Sequence, residues 1–214
     1  MTTSPGSFHV LAVCTGNVCR SAQAATLLQA RTDASGSVCS SQLRISSAGT
    51  QALVDEPMDP IAAEMVNEYG APLGPGIRRV IARHRGRQLS AEAVKRADLV
   101  LCMTLKHRRA VVQLAPAASR RTFLLTEFVA LLEDLASVPW AGTDDLSLPS
   151  RLRRDVDAAA ARRGLVLRHG AEYEEVIDPY RREAAVYRRS AAQIDRALQR
   201  LHRAWENLGG REGP

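Results

Sequence analysis

Aromatic side chains are scarce in this chain: nine among 214 residues. So few rings give little to stack on bases, and no recognisable nucleic-acid-binding motif accompanies them. Long apolar runs are also missing. None approaches the roughly 20 residues a membrane-spanning helix requires, so neither a membrane nor a nucleic acid is expected as a partner. The four cysteines, Cys14, Cys19, Cys39 and Cys102, form no CxxC pair and no zinc-ligand spacing. No metal and no cofactor are therefore expected. The opening "MTTSPGSF" has neither the basic start nor the apolar centre of a signal peptide. The expectation is a cytoplasmic protein with reduced thiols. Internal repeats and low-complexity tracts are absent as well. The net charge is +6, nearly all from an excess of arginine. Those arginines are interleaved with Asp and Glu along helical stretches, the pattern of a solvated face.

What is present is an alternation of strand-like and helix-like stretches. "FHVLAV" (8–13), "LRISSAG" (43–49), "ADLVLCM" (97–103) and "RRTFLL" (120–125) are short apolar runs of the kind buried on both faces. Between them lie helix-prone segments. The first follows Ser21, which fits an N-cap. The next runs from Pro60 to Gly70, with proline at its start and glycine at its end. Another follows at "LKHRRAVVQLA", and a fourth begins at Thr126, again read as a cap. A long closing helix is expected from about Arg181 to Leu208, with Val186, Ile194, Leu198, Leu201 and Trp205 as its apolar stripe. This order predicts an α/β fold: a four-stranded parallel sheet flanked by helices in three layers. The length fits one domain over 1–214. Residues 137–171 read as an insertion, with a short helix from Pro149 to about Arg163 stopped by Gly164. The segment is either a surface excursion, a flank of the active site or a partner dock.

In such sheets ligands bind beyond the carboxyl ends of the strands. Cys14 stands at that end of the first strand, and "CTGNVCRS" (14–21) follows. Gly16 and Asn17 tolerate unusual backbone angles, so the loop Thr15–Gly16–Asn17–Val18–Cys19 is able to turn its N–H groups inward. A nest of that kind, backed by a helix N-terminus, binds a phosphate-like dianion. Arg20 adds a planar fork matched to two phosphate oxygens. The same field favours a thiolate over a thiol. The loop is thus a phosphate cradle that also makes its own nucleophile, and Ser21 is placed to hydrogen-bond the sulfur.

The stretch "VCTGNVCRS" resembles the signature loop of the low-molecular-weight protein tyrosine phosphatase family. "ISSAGT" (45–50), "HRGRQL" (84–89), "ADLVLCMTLKH" (97–107), "TEF" (126–128) and "IDPYRREAAVYRRSAAQI" (177–194) continue the resemblance in order. It covers roughly residues 8–135 and 172–206. The resemblance implies a phosphatase that cleaves phosphotyrosine in proteins through a phosphocysteine. It implies Cys14 as nucleophile, Arg20 as phosphate clamp and Asp178 as general acid and base. Without it, "DP" at 178–179 would mark only a turn before the last helix. Thr15, Gly16, Asn17, Val18, Cys19, Ser21, Leu53 and Tyr180 map to substrate-binding positions. Asn17, Ser47 and His84 map to residues that brace the loop. Cys19 maps to a second thiol that forms a protective disulfide with the nucleophile; the simpler reading is that it packs under the loop. The partners implied are a phosphotyrosine protein and, by association with bacterial members, a tyrosine kinase.

Two cleft positions depart from the family. Leu53 stands where an aromatic wall is common, and Thr15 replaces an often apolar residue, while Tyr180 keeps one aromatic wall. Two rival readings share the fold. An arsenate reductase would pass oxidation from Cys14 to later cysteines; Cys102 is placed for that, but no further thiol follows it. A noncatalytic phospho-binding module would have no need of Cys14, Arg20 and Asp178 together.

Overall fold

Four apolar runs become four strands: β1 (Phe8–Cys14), β2 (Leu43–Gly49), β3 (Leu99–Cys102) and β4 (Thr122–Leu124). All pair in parallel, in the order β2-β1-β3-β4. The computed structural model describes residues 6–35, 42–137, 146–167 and 173–209, and Cys39 lies outside them. The helices are α1 (Arg20–Ser35), α2 (Pro60–Gly70), α3 (Ile77–Arg83), α4 (Ala91–Arg96), α5 (Leu105–Leu114), α6 (Leu125–Ala136), α7 (Leu148–Leu167) and α8 (Ala184–Gly209).

Alternation along β1 builds the two cores. Phe8, Val10, Ala12 and Cys14 face one cluster, shared with Leu27 and Leu28 of α1, Phe128 of α6, and Ile194 and Leu198 of α8. Leu11 and Val13 face the other, with Val94 of α4 and Val111 of α5. Helices therefore cover both faces of the sheet, which is why its strands are continuous apolar runs. The α8 stripe is buried as expected, from Val186 to Trp205.

Several element ends differ from the sequence expectation. Helix α1 starts at Arg20, so Ser21 lies inside the first turn and is not its cap; the backbone carbonyl of Cys19 accepts the Gln23 N–H. Helix α6 starts at Leu125, where the Glu127 carboxylate accepts the Leu124 N–H at 2.9 Å. Thr126 is consequently not a cap, and its hydroxyl donates to the Glu174 carbonyl at 2.6 Å. The last helix starts at Ala184, because Arg181 has a left-handed backbone (φ 59°) that ends the preceding turn.

Helix α7 differs most. It spans 20 residues and runs through Gly164 to Leu167. Tertiary packing outweighs the roughly 1 kcal/mol a helical glycine costs. Leu152, Val156 and Ala159 are buried in the first core. Arg153 donates to Asp98 Oδ1 at 2.9 Å and to the Ser7 carbonyl at 2.6 Å. These contacts lie at the amino ends of β1 and β3, opposite the edge where Cys14 stands. The described part of 137–171 is neither a loose excursion nor a flank of the Cys14 loop.

Candidate active site

The carboxyl ends of the strands are level: Cys14 is opposite Gly49, and Val13 is opposite Cys102. From Cys14 the chain turns through residues 15–19 into α1, so the positive end of a 16-residue helix backs the loop. Gly49 is required by this turn. A Cβ there would sit 2.4 Å from the Thr15 carbonyl oxygen and 3.0 Å from the Asn17 nitrogen. Of the two residues expected to relax the backbone, only Asn17 adopts a left-handed conformation (φ 58°).

Asn17 is the hub of the loop. Its backbone N–H donates to Cys14 Sγ at 3.3 Å, and its Nδ2 donates to Ser21 Oγ at 2.9 Å. Its Oδ1 accepts the Arg87 N–H at 2.9 Å, and its carbonyl oxygen lies 2.7 Å from His84 Nε2. Ser21 Oγ is 3.0 Å from Cys14 Sγ. That oxygen accepts from Asn17, and its single proton faces both the sulfur and, at 3.4 Å, the Ala48 carbonyl oxygen. The Asn17 N–H and the nearer Ser21 hydroxyl thus converge on Cys14 Sγ, an arrangement suited to a thiolate. Burial, and next the Arg87 and Arg85 charges, lower the pKa of His84 against the opposing pull of the Asn17 carbonyl. A neutral His84 still donates one N–H to that carbonyl.

Arg20 is 4% exposed and reaches the same centre. Its Nη1 donates to the Val176 carbonyl at 3.3 Å, and its Nη2 pairs with Asp178 Oδ2 at 2.6 Å. Its Nε is buried with no hydrogen-bond partner, a donor left over for an oxyanion. Asp178 is half exposed, and its Oδ1 accepts the Tyr180 N–H at 3.2 Å. The strand-like stretch leading to it is well anchored. Val176 N–H donates to the Met103 carbonyl at 2.9 Å, and Glu175 accepts the Leu105 N–H at 2.6 Å. Gln193 and Ser190 of α8 hold Ile177 from the other side, each at 2.9 Å.

These groups line a cleft of about 120 Å³ walled by Thr15, Gly16, Val18, Gln51, Leu53 and Tyr180, with Cys14, Cys19, Arg20 and Asp178 among its lining. Asn17 and Ser21, expected to bind substrate, are buried and outside the lining of this cleft, and their side chains bond within and beneath the loop. Ser47, expected as a brace, stands opposite Ala12 and lines a neighbouring cavity with His84 and Arg87. Among the described residues no hydrogen bond joins it to the loop; that part falls to Ser21. Cys19 differs from Cys14 in its surroundings. Burial, and then the Asp59 carboxylate and Cys14, push its thiol far up. The Tyr187 hydroxyl beside it donates to Asp59 Oδ2 at 3.0 Å.

The family model described as Low molecular weight phosphotyrosine protein phosphatase matches residues 9–139. The chain belongs to that family. It is 32% identical over 120 residues to the Low molecular weight protein-tyrosine-phosphatase Etp of Escherichia coli K12, covering 56% of this chain and 70% of that one. It is 32% identical over 138 residues to a Protein-arginine-phosphatase of Geobacillus stearothermophilus, covering 63% of this chain and 80% of the relative. The crystal structure of the low molecular weight protein tyrosine phosphatase from T. tengcongensis superposes with a TM-score of 0.62 at 26% identity, over 92% of this chain and 99% of the other. This family consists of hydrolases with the three-layer α/β fold described above.

Two residues of the site were not singled out by sequence. Gln51 was findable, since it follows β2 at the ligand-binding edge. His107 lies within "ADLVLCMTLKH", but nothing in the spacing signals that its ring reaches Thr15, 92 positions away.

Proposed function

We propose that this chain hydrolyses phosphotyrosine in proteins through a phosphocysteine formed on Cys14. The observation that carries the reading is the meeting of Cys14, Arg20 and Asp178 in one cleft, with the Arg20 guanidinium 2.6 Å from the Asp178 carboxylate. The phosphoryl dianion is held by the loop N–H groups, the α1 N-terminus and Arg20. The Cys14 thiolate attacks phosphorus, the P–O bond to the phenol breaks, and Asp178 gives its proton to the departing oxygen. The Asp178 carboxylate then takes a proton from water as the water oxygen attacks the phosphocysteine. The P–S bond breaks, inorganic phosphate leaves, and the Ser21 and Asn17 donors receive the sulfur as a thiolate.

Leu53 and Tyr180 are 38% exposed and form apolar walls suited to a phenyl ring. A tyrosine kinase that carries its own phosphotyrosines fits that substrate class. The reduced thiols suit a cytoplasmic setting. Cys19, beside Cys14 in the loop, is the candidate to trap an oxidised nucleophile as a disulfide. Helix α7 packs into the same core as the sheet, supporting one domain in which 137–171 is an insertion. A reductase relay through Cys102 is disfavoured, since Cys102 packs on the sheet face opposite Cys14.

Steady-state hydrolysis of a phosphotyrosine peptide, a phosphoarginine peptide and p-nitrophenyl phosphate tests the reading. The phosphotyrosine peptide should have the higher kcat/KM of the two peptides, and Cys14→Ser should abolish turnover of all three. Preference for phosphoarginine would overturn the substrate assignment, and an active Cys14→Ser would overturn the mechanism.

A further inference from the structure

The imidazole of His107 is 2% exposed and has no role in the steps above. It lies in the first turn of α5, three residues after the N-cap Thr104. Its Nε2 is 2.9 Å from Thr15 Oγ1, and Thr15 follows the nucleophile and walls the cleft. Its Nδ1 is 2.9 Å from Thr104 Oγ1, which also accepts the His107 backbone N–H at 3.4 Å. One buried ring therefore holds two hydroxyls, one on the phosphate loop and one on the helix that closes the sheet edge.

The directions of these bonds depend on which ring nitrogen carries the proton. Burial, and next the Arg20 charge, push the His107 pKa down to about 4, with Asp178 opposing and Lys106 adding. The ring is neutral near pH 7, so one nitrogen donates and the other accepts. With the ring proton on Nε2, Thr104 Oγ1 both accepts the cap N–H and gives its own proton to Nδ1. In that tautomer Nε2 donates to Thr15 Oγ1. The Thr15 side chain is fixed by the bond it accepts, and its O–H remains free at the cleft wall.

We propose that His107, with its ring proton on Nε2, is a positioning residue that fixes the Thr15 hydroxyl as a hydrogen-bond donor to substrate at the wall of the cleft. This gives a purpose to the polar residue that stands where an apolar wall was expected. The proposal rests on the phosphatase reading above, and the two fail separately. Activity surviving in Cys14→Ser would remove the reading itself. An inactive Cys14→Ser together with a fully active Thr15→Val would remove only this proposal.

The experiment is a double-mutant cycle in kcat/KM on a phosphotyrosine peptide, with folding checked by thermal unfolding. Thr15→Val keeps the shape and removes the hydroxyl; it should lower kcat/KM about tenfold, the scale of one hydrogen bond to a charged group. Thr15→Ser, which keeps the hydroxyl, should stay within about threefold of wild type. His107→Asn reaches Thr104 but not Thr15, and should match Thr15→Val. His107→Gln places an amide N–H near the Nε2 position and should recover most of the loss. The double variant Thr15→Val/His107→Asn should be no worse than either single one. Multiplicative losses in the double variant would overturn the proposal, as would a Gln variant as impaired as Asn. Should the His107 variants not fold, the Thr15 pair decides alone: equal kcat/KM for Val and Ser overturns it.

Discussion

Replacing Arg163 with methionine tests whether α7 is part of the fold. Glu127 is 2% exposed, and the Arg163 Nε donates to its Oε1 at 2.7 Å. Arg163 also donates to the Thr122 carbonyl at 2.7 Å, and its guanidinium lies 4.2 Å from the centre of the Phe123 ring. Removing one partner of a buried ion pair costs about 3–5 kcal/mol. Arg108, 3.5 Å from the same carboxylate, remains to take part of the charge. The Glu127 bond to the Leu124 N–H also remains, so the expected loss is about 2–4 kcal/mol. For a domain of this size that lowers Tm by roughly 5–12 °C. The assay is urea unfolding of wild type, Arg163→Met, Glu127→Gln and the double variant. The double variant should recover part of the loss, because no buried charge is left without a partner. A change below about 0.5 kcal/mol in Arg163→Met would show that α7 is not docked on β4 and α6.

Three further outcomes follow from the same contacts. Gly49→Ala drives a methyl group against the Thr15 carbonyl, so kcat/KM should fall at least tenfold and stability by roughly 2–3 kcal/mol; unchanged kinetics would show that β2 does not shape the loop. Asp178→Asn should slow phosphocysteine formation from a phosphotyrosine peptide by about 10²–10⁴, and its formation from p-nitrophenyl phosphate, whose leaving group needs no proton, by far less, both read as the pre-steady-state release of the phenol; equal losses would remove the acid role. His107 gives a pH dependence. Above pH 6.5 the ring is neutral in both folded and unfolded chains and contributes nothing. As pH falls from 6.5 towards about 4, the unfolded chain binds a proton that the folded one refuses, so stability declines by up to about 3 kcal/mol and then levels. Chemical denaturation of wild type and His107→Gln from pH 4 to 7 should show that slope in the wild type and a shallower one in the variant; identical slopes would contradict it.

The strand–helix order was legible because buried parallel strands leave continuous apolar runs, and proline and glycine mark the ends of α2. The nucleophile loop was legible because its residues are contiguous. Helix starts were less so: Ser21 and Thr126 have the chemistry of caps, but their hydroxyls are drawn to Cys14 Sγ and the Glu174 carbonyl. Gly164 reads locally as a stop, yet Arg162 and Arg163 pair with Asp134 and Glu127 across the helix interface and hold α7 in place. His107 was out of reach for a different reason. Its partners, Thr15 and Thr104, meet only when β1 and β3 are paired, and neither is marked by local sequence.

The central claim is that phosphate passes through Cys14. The direct measurement is acid quench of Asp178→Asn during turnover of p-nitrophenyl phosphate, followed by mass spectrometry of the peptide containing Cys14. The good leaving group lets the first step proceed while loss of the base slows the second. One phosphoryl group on Cys14 is the predicted result. A phosphoryl group on another residue, or none during active turnover, would contradict the account.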